Sequence, residues 1–316
     1  MSNTHELIFQ PGLVVDEEFF DYAVMQSSAK NWLFFTRYRF GTGDFYGRHS
    51  GVQLNNLQFG HADRHEGMMY EGISPKDCIT IAILKENSGH VCINRVKMER
   101  GDLILIDDSS PYDFVSSHHT LMSIISVRKS LLALQAPWML SSINKKFKDI
   151  DNTLCETITR EWEDVLASPS LLKNAETLQS MENKIIDTLK HVLYKQTGED
   201  CTLTQGEKVA FEIKSCLLDS LEDAKSIQDI AKKFKVSEKT IESSFKTLFG
   251  ITPKRFIKLL KLNHAHKDLQ LANVQTTNVS DIAIKWGFSH FGRFSSDYKS
   301  LFGVSPSIIL NQTPTH

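Results

Sequence analysis

The chain has 316 residues, of which 41% are apolar and 23% charged, a composition typical of a globular protein with about two domains. With 16 glycines and 8 prolines, it is neither collagen-like nor a long disordered or proline-rich chain. No apolar run approaches the length of a membrane span, and residues 1–6 do not begin a secretory signal, so we expect a cytoplasmic protein without membrane partners.

The cysteines indicate a reducing environment. No two of them have the close spacing of a zinc knuckle or a redox motif. We therefore expect buried free thiols. The five residues are Cys78, Cys92, Cys155, Cys201 and Cys216.

The first part of the chain has the residue pattern of β-strands. Alternating or β-branched apolar runs recur about every ten residues, with turn signals such as Asn87-Ser88-Gly89 between them. This pattern predicts an antiparallel barrel or sandwich that can enclose a small ligand, although no effector-binding residue can be named. The predicted strands are 33–40, 52–59, 78–84, 91–96, 103–106 and 121–127.

Four histidines within this region raise the question of a metal site. His61 and His65 are four residues apart among predicted strands, and adding His118 and His119 does not produce a recognisable ligand spacing. We interpret all four as polar loop histidines and predict neither a metal site nor a cofactor. Since phosphate-binding loops, nucleophile elbows and metalloprotease motifs are also missing from the sequence, we predict no catalytic residues and no enzyme activity.

Apolar spacing becomes helical after Lys129. Residues 131–147, 154–166 and 170–194 each predict a helix. The last of these carries an apolar stripe that is interpreted either as internal packing or as a dimer seam. The stripe consists of Leu171, Leu172, Leu178, Met181, Ile185, Leu189 and Val192. The segment 196–200 is the best candidate for a linker.

The charge of the chain is unevenly divided. Its formal net charge is −2, but residues 205–316 carry +5 and the preceding residues carry −7. A basic tail on an acidic body suggests that the tail meets a polyanion. The solvated surface of ordinary helices is an equally good explanation of the charge alone.

The basic tail contains two short helices joined by a tight turn. Thr204 and Glu207 form a capping box that opens a helix extending to about Leu221. Ser226 then caps a helix that breaks around 235–236, and Ser237 caps the next one. This arrangement predicts a helix-turn-helix, in which the second helix enters the major groove of DNA.

The same pattern recurs about fifty residues later. Residues 280–299 repeat it, with Asp-Ile-Ala at 229–231 and again at 281–283. Ser237 aligns with Ser289 if the caps are matched directly, and a shift of one residue restores the apolar register. Both units end in Leu-Phe-Gly followed by a capped proline helix, and Pro253 to about Leu271 predicts one connecting helix of roughly 28 Å.

These motifs resemble the double helix-turn-helix domain of AraC/XylS-type bacterial transcription regulators. The second unit carries Gly287-Phe288-Ser289, Phe294 and 302–306 at the positions of the family's signature, and its aromatic pattern is most like the ethanolamine-utilisation regulators. The resemblance covers about residues 205–312. It implies a transcription activator that is a homodimer, binds double-stranded promoter DNA, responds to a small-molecule effector and contacts RNA polymerase.

The exposed start of each second helix supplies the predicted DNA contacts. Arg293 is the foremost of the base contacts, and aromatic residues such as Trp286 and Phe288 are expected in the core. The predicted base contacts are Lys239, Glu242, Ser243, His290, Phe291, Arg293 and Ser296. The predicted phosphate contacts are Lys232, Lys233, Lys246, Lys254, Arg255, Lys285 and Lys299.

We therefore expect an α+β chain. A cupin-like antiparallel β barrel or sandwich would occupy residues 1–130, helices for dimerisation or linking 131–200, and an all-α double helix-turn-helix 201–316, with its units at 226–246 and 280–300. Two alternatives are a ligand-independent regulator whose β domain only dimerises and a cupin-like enzyme fused to a DNA-binding tail.

Overall fold

Alternating side chains build two β-sheets in the first part of the chain. A computed structural model describes residues 11–22, 24–25, 33–194, 196–199, 203–221 and 226–312. Its strands are β1 Gly12–Phe19, β2 Leu33–Arg39, β3 Gly47–Gln53, β4 Leu57–Arg64, β5 Met68–Ile73, β6 Cys78–Asn87, β7 Val91–Ile93, β8 Val96–Met98, β9 Asp102–Asp107, β10 Tyr112–Ser116, β11 Thr120–Arg128 and β12 Lys146–Lys148.

All strand pairs in the described residues are antiparallel, as predicted. One sheet has the order β1-β3-β4-β11-β6-β9-β12, and the other has the order β2-β5-β10-β7-β8. One core lies between the sheets and includes Tyr70, Leu84 and Phe114. The first part of the chain is therefore a two-sheet antiparallel structure with an internal apolar core.

The outer faces of both sheets are also covered. On β6, Ile81 and Ile83 pack in a core that also contains the helices following the strands, whereas Ala82 and Leu84 face the core between the sheets. On β10, Phe114 faces that same inner core, and Val115 faces a core formed by the C-terminal helices. Burial on both faces explains why several strands are almost continuously apolar.

Two predicted strands each prove to be a hairpin. Residues 52–59 contain the end of β3, a turn closed by the Leu54 N to Leu57 O hydrogen bond of 2.8 Å, and the start of β4. Residues 91–96 contain the two-residue turn between β7 and β8, where Asn94 and Arg95 have φ of 47° and 66°. Two left-handed residues in succession are the geometry of a tight hairpin turn, which apolar periodicity does not reveal.

The predicted helix at 131–147 is wrong in its second half. Helix α1 spans Lys129–Gln135, a 3-10 turn spans Pro137–Ser141, and β12 pairs with β9. Pro137 has no backbone N–H to donate and restricts the backbone of Ala136, so the helix cannot continue.

The helical layer continues with α2 Thr153–Ala167 and α3 Ala175–Leu193, with a 3-10 turn at Pro169–Lys173 between them. Leu178 and Met181 of the α3 stripe are each 5% exposed, and Ile185 and Leu189 are fully buried. These four residues lie in the same core as α2 and the seven-stranded sheet. At these four positions the stripe therefore packs inside the chain.

The segment predicted as a linker is bonded to the β part. The Gln196 side chain exchanges hydrogen bonds with the backbone of Lys148 at 3.0 and 2.9 Å, and the Glu199 N–H donates to Lys146 O at 2.8 Å. Gln196 and Glu199 therefore attach this segment to edge strand β12. Asp200 lies outside the described residues.

The described cysteines are free thiols, and Cys78, Cys92 and Cys155 are buried, as predicted. Burial raises the pKa of Cys78 to about 12 and that of Cys155 to about 11, so both carry their protons at neutral pH. Cys216 is half-buried, and Cys201 lies outside the described residues. None of the described helices is long and apolar enough to cross a membrane.

Seven helices form the C-terminal part of the described chain, and their core is continuous with the outer face of the five-stranded sheet. Thr204 and Glu207 form the predicted capping box at the start of α4, where the Glu207 N–H donates to Thr204 Oγ1 at 3.2 Å. The helices are α4 Gln205–Asp219, α5 Ile227–Phe234, α6 Glu238–Phe249, α7 Pro253–Leu271, α8 Val279–Lys285, α9 Phe291–Phe302 and α10 Pro306–Gln312.

Candidate DNA-binding interface

Helices α5 and α6 form the first helix-turn-helix unit. The Asp229 N–H donates to Ser226 Oγ at 3.1 Å, and the Thr240 N–H donates to Ser237 Oγ at 3.0 Å, so both helices begin at the predicted caps. Lys235 ends α5 in the left-handed region, with φ of 53°. This residue makes the sharp turn between the helices.

Helices α8 and α9 form the second unit, whose turn is longer than the first. Asp281 stands where Asp229 stands in the first unit, and its carboxylate accepts from the Asn278 N–H at 3.1 Å. Gly287, with φ of 76°, takes the left-handed position of Lys235. One extra residue follows Gly287, so the cap of α9 is His290 rather than Ser289, which agrees with the one-residue shift of the apolar register.

The inner faces of α6 and α9 are buried in the C-terminal core. Ile241, Phe245 and Leu248 of α6 are at most 2% exposed, and Phe294 and Tyr298 of α9 are equally buried. Trp286 is also buried, while Phe234 and Phe288 pack against the same core. These aromatic residues are core residues, as predicted.

Helix α7 supports both units. Near its start, the ring of Phe256 packs against Phe245 at 5.4 Å. Ten residues further along, His266 stacks on Phe302 at 4.2 Å and shares a 2.6 Å hydrogen bond with the Tyr298 hydroxyl. One helix therefore sets the positions of α6 and α9 relative to each other. The spacing of these helices on DNA stays a prediction.

The predicted base contacts occupy the outer faces of the two helices. On α6, Lys239, Glu242, Ser243 and Lys246 follow the i, i+3, i+4, i+7 spacing of a single helix face. On α9 and its cap, the side chain of Arg293 is 79% exposed and Phe291 is 45% exposed. All seven predicted base contacts are exposed: Lys239, Glu242, Ser243, His290, Phe291, Arg293 and Ser296.

Ion pairs distinguish the charged residues on these faces. Lys258 Nζ lies 2.6 Å from Asp297 Oδ2, whereas Arg293 Nε is 4.0 Å from the same oxygen. Because Lys258 is the closer partner of Asp297, Arg293 keeps its donors directed to solvent. On α6, Glu242 pairs with Lys246 at 2.9 Å, so a base contact by Glu242 requires this exposed pair to open.

The predicted phosphate contacts differ in whether an acidic side chain already pairs with them. Lys285 Nζ lies 2.7 Å from Asp268, which also accepts from the Trp286 ring N–H at 2.8 Å. Lys254 and Arg255 stand at the exposed first turn of α7, and the described chain places no acidic partner on them. All seven residues are exposed: Lys232, Lys233, Lys246, Lys254, Arg255, Lys285 and Lys299.

Sequence reasoning missed the docking of both units onto the β part. The Gly43 N–H donates to Ser300 O at 2.8 Å, next to the end of α9. A Cβ at Gly250, which ends α6, would lie 2.7 Å from His90 Cδ2 and 2.9 Å from Ser117 Cβ. These contacts join residues that are far apart in sequence, so local patterns carry no signal of them.

Comparison with known proteins also finds a helix-turn-helix domain in the C-terminal part of the chain. Residues 230–312 match a family model described as a helix-turn-helix domain. The probable thc operon regulatory protein of Rhodococcus erythropolis is 38% identical over 89 residues, which are 28% of this chain and 27% of that protein. The chain therefore matches about a quarter of that relative's length.

Two longer matches are more distant. The HTH-type transcriptional activator RhaR of Enterobacter sp. is 22% identical over 259 residues, covering 78% of this chain and 88% of that protein. Among solved structures, the AraC-like transcriptional activator CuxR covers 71% of this chain and 82% of its own, with 16% identity and a TM-score of 0.40.

Proposed function

We propose that this chain is a transcription activator of the AraC/XylS type that binds promoter DNA sequence-specifically. The observation that carries the proposal is the pair of exposed polar faces on α6 and α9, which one buried scaffold helix supports. Because its target is the bacterial chromosome, we place the protein in the cytoplasm. We propose no enzymatic activity.

In this proposal, the two recognition helices read base edges in the major groove. Arg293 donates to guanine O6 and N7, Glu242 accepts from cytosine N4, and Phe291 contacts a thymine methyl group. Lys239, Ser243, His290 and Ser296 complete the readout. Lys254 and Arg255 bind phosphates beside the first turn of α7, which fixes the register of the protein on DNA.

We assign effector binding to residues 1–130 and DNA binding to residues 201–316. A cleft of about 810 Å³ lies between the two parts and supports this assignment, because its volume suits a small metabolite. Arg95 and Tyr112 line it from the strands, and Phe211 and Lys214 line it from α4. A ligand in this cleft would contact both parts and so alter their docking.

Residues 131–200 are assigned to dimerisation or linking. The exposed apolar side chains of Leu134 and Trp138, which are 81% and 41% exposed, support a contact with a second copy. A dimer of this kind would leave the α3 stripe inside each protomer. Transcription activation further requires contact with RNA polymerase, which we propose for the DNA-bound dimer.

The proposal is tested by selecting binding sites from a random duplex library with the full-length protein. We expect an enriched motif whose conserved bases lie about one helical turn apart, since each chain carries two recognition helices. Retention of the library without an enriched motif would contradict sequence-specific binding. Transcription from an enriched site with purified bacterial RNA polymerase then tests activation.

A metabolite screen by thermal shift tests the effector. A ligand that raises the melting temperature of the full-length protein supports effector binding, and an Arg95→Ala variant should lose that shift if the ligand occupies the cleft. A shift that is the same in Arg95→Ala would place the ligand elsewhere. If no metabolite produces a shift, a ligand-independent regulator becomes the better description.

A further inference from the structure

Three potential metal ligands meet at one end of the β part. Asp63 is on β4, His65 follows β4 directly, and His119 precedes β11. Strands β4 and β11 pair with Asp63 opposite Leu121 and Arg64 opposite Thr120, which brings the adjoining turns side by side. His65 and His119 are therefore neighbours although 54 residues separate them.

The donor atoms of these residues converge. His119 Nε2 lies 2.9 Å from Asp63 Oδ1, and His65 Nε2 lies 3.5 Å from Asp63 Oδ2. The two imidazole rings are 4.9 Å apart in an edge-to-face arrangement, and one ligand atom from each residue lies within 4.8 Å of the other two. In tetrahedral zinc sites, bonds of 2.0–2.2 Å place neighbouring ligand atoms about 3.3 Å apart. Small side-chain rotations would therefore bring these three ligand atoms to the distances that a zinc ion requires.

The surroundings hold the ligands in position. The His65 N–H donates to Tyr46 O at 3.1 Å, and the Tyr46 ring packs edge-on against His65 at 4.6 Å. The His119 carbonyl accepts from the Ser88 N–H at 3.1 Å. Arg48, which pairs across from Asp63 on β3, is bonded to Asp16 at 2.9 Å.

We propose that Asp63, His65 and His119 bind a divalent transition-metal ion of the zinc type. Two imidazoles and one carboxylate favour zinc over magnesium or calcium, which prefer oxygen ligands. Three protein ligands leave a coordination position for water, and the partial exposure of the side chains, 27%, 51% and 28%, gives the ion access. This inference does not depend on the proposed transcriptional function.

The site also adjoins the contacts that dock the C-terminal helices. Ser117, two residues before His119, contacts Gly250 at the end of α6. Gly67, two residues after His65, accepts hydrogen bonds from the Phe40 and Gly41 N–H groups at 2.7 and 2.9 Å, next to the segment that reaches Ser300. A metal ion joining these turns would therefore hold both helix-turn-helix units more firmly against the β part.

Zinc titration of chelator-treated full-length protein tests the site. We expect one zinc ion per chain in calorimetry, and at least about tenfold weaker binding in His65→Ala and in His119→Ala, since even an outer-shell partner contributes 10–100-fold. His118→Ala is the matched control, because His118 is exposed beside His119 but bonds to Ser117 Oγ at 2.9 Å. Equal affinity in all four proteins would overturn the proposal.

A cobalt(II) titration gives a measurement that needs no variant. Four-coordinate cobalt bound by nitrogen and oxygen absorbs strongly in the visible region, whereas hydrated cobalt is pale. We expect the intense spectrum in the wild-type protein, saturating at one ion per chain. A spectrum that stays that of the hydrated ion would contradict the site, even if the variants fail to fold.

Hydrogen-exchange mass spectrometry tests the link to docking. Zinc should slow exchange in peptides covering residues 40–44 and 247–252 of the wild-type protein and leave both unchanged in His119→Ala. Zinc binding without slower exchange in the wild-type peptides would retain the metal site but overturn its role in docking.

Discussion

Asn263 on helix α7 binds the backbone of Arg39 on strand β2 through two hydrogen bonds. The Arg39 N–H donates to Asn263 Oδ1 at 2.8 Å, and Asn263 Nδ2 donates to Arg39 O at 2.9 Å. Strand β2 is at the edge of the five-stranded sheet, where backbone groups lack a neighbouring strand. The Asn263 amide thus provides the donor and the acceptor that a neighbouring strand would provide. It joins helix α7 to the β part of the chain.

Replacing Asn263 should loosen this docking. Asn263→Ala leaves the Arg39 N–H and C=O without their partners, which costs roughly 1–3 kcal/mol. We expect faster hydrogen exchange at residues 38–40 and a lower free energy of unfolding in urea. Gln270→Ala, an exposed change on the same helix, is the control. If the two substitutions change hydrogen exchange and the free energy of unfolding equally, the Asn263 hydrogen bonds do not stabilise the docking.

Arg293→Ala should reduce specific DNA binding by about 1–3 kcal/mol while leaving binding to random duplex nearly unchanged. The reason is that Lys258 is the closer partner of Asp297, which leaves the Arg293 guanidinium directed to solvent. Affinities on the selected site and on random DNA measure the difference. Equal losses on both would identify Arg293 as a phosphate contact.

Lys254→Ala should weaken binding to both kinds of DNA. Each phosphate contact contributes about 0.9 to the slope of log K against log salt concentration, so the slope should fall by roughly that amount. Lys285→Ala should change the slope less, because Asp268 already pairs with Lys285 at 2.7 Å. A wild-type affinity that is independent of salt would contradict the phosphate assignments altogether.

Two phenylalanines of α9 should separate stability from DNA binding. Phe294 is 1% exposed, and Phe294→Ala should lower the free energy of unfolding by about 3–5 kcal/mol. Phe291 is 45% exposed, and Phe291→Ala should leave stability nearly unchanged while altering specific binding. Chemical denaturation and DNA titration of both variants check the pair. A large loss of stability in Phe291→Ala would place this residue in an interface between parts of the chain.

Acid should destabilise the C-terminal core through His266. Burial lowers the pKa of His266 from 6.5 to about 4, so the unfolded chain takes up its proton at a higher pH than the folded chain does. The free energy of unfolding should therefore fall as the pH drops from about 6.5 towards 4, with a slope on the order of 1 kcal/mol per pH unit. Urea unfolding at pH 7 and pH 5 measures this change in the free energy of unfolding. The change between the two pH values should be smaller in His266→Gln than in the exposed control His191→Ala. If the free energy of unfolding of His266→Gln changes between pH 7 and pH 5 as much as that of the wild-type protein, His266 is not the cause of the acid sensitivity.

The sequence by itself determined the local elements whose causes lie within a few residues. Ser226, Ser237 and Thr252 cap helices because their hydroxyls reach backbone N–H groups three residues ahead. The repeat revealed the second unit, and a shift of one residue restored its apolar register, although the cap of α9 is His290 and not the aligned Ser289. The outer-face positions of Arg293 and Lys239 also followed from helical periodicity.

Tertiary structure alone decided which distant segments meet. The turns inside 52–59 and 91–96 were hidden because apolar residues recur on both sides of Asn55-Asn56 and of Asn94-Arg95, as they would within a single strand. Asp63 and His119, and likewise Arg39 and Asn263, are brought together by strand pairing and helix docking across long stretches of chain. Such contacts depend on which surfaces the folded chain buries against each other. Local residue spacing does not determine which distant surfaces these are.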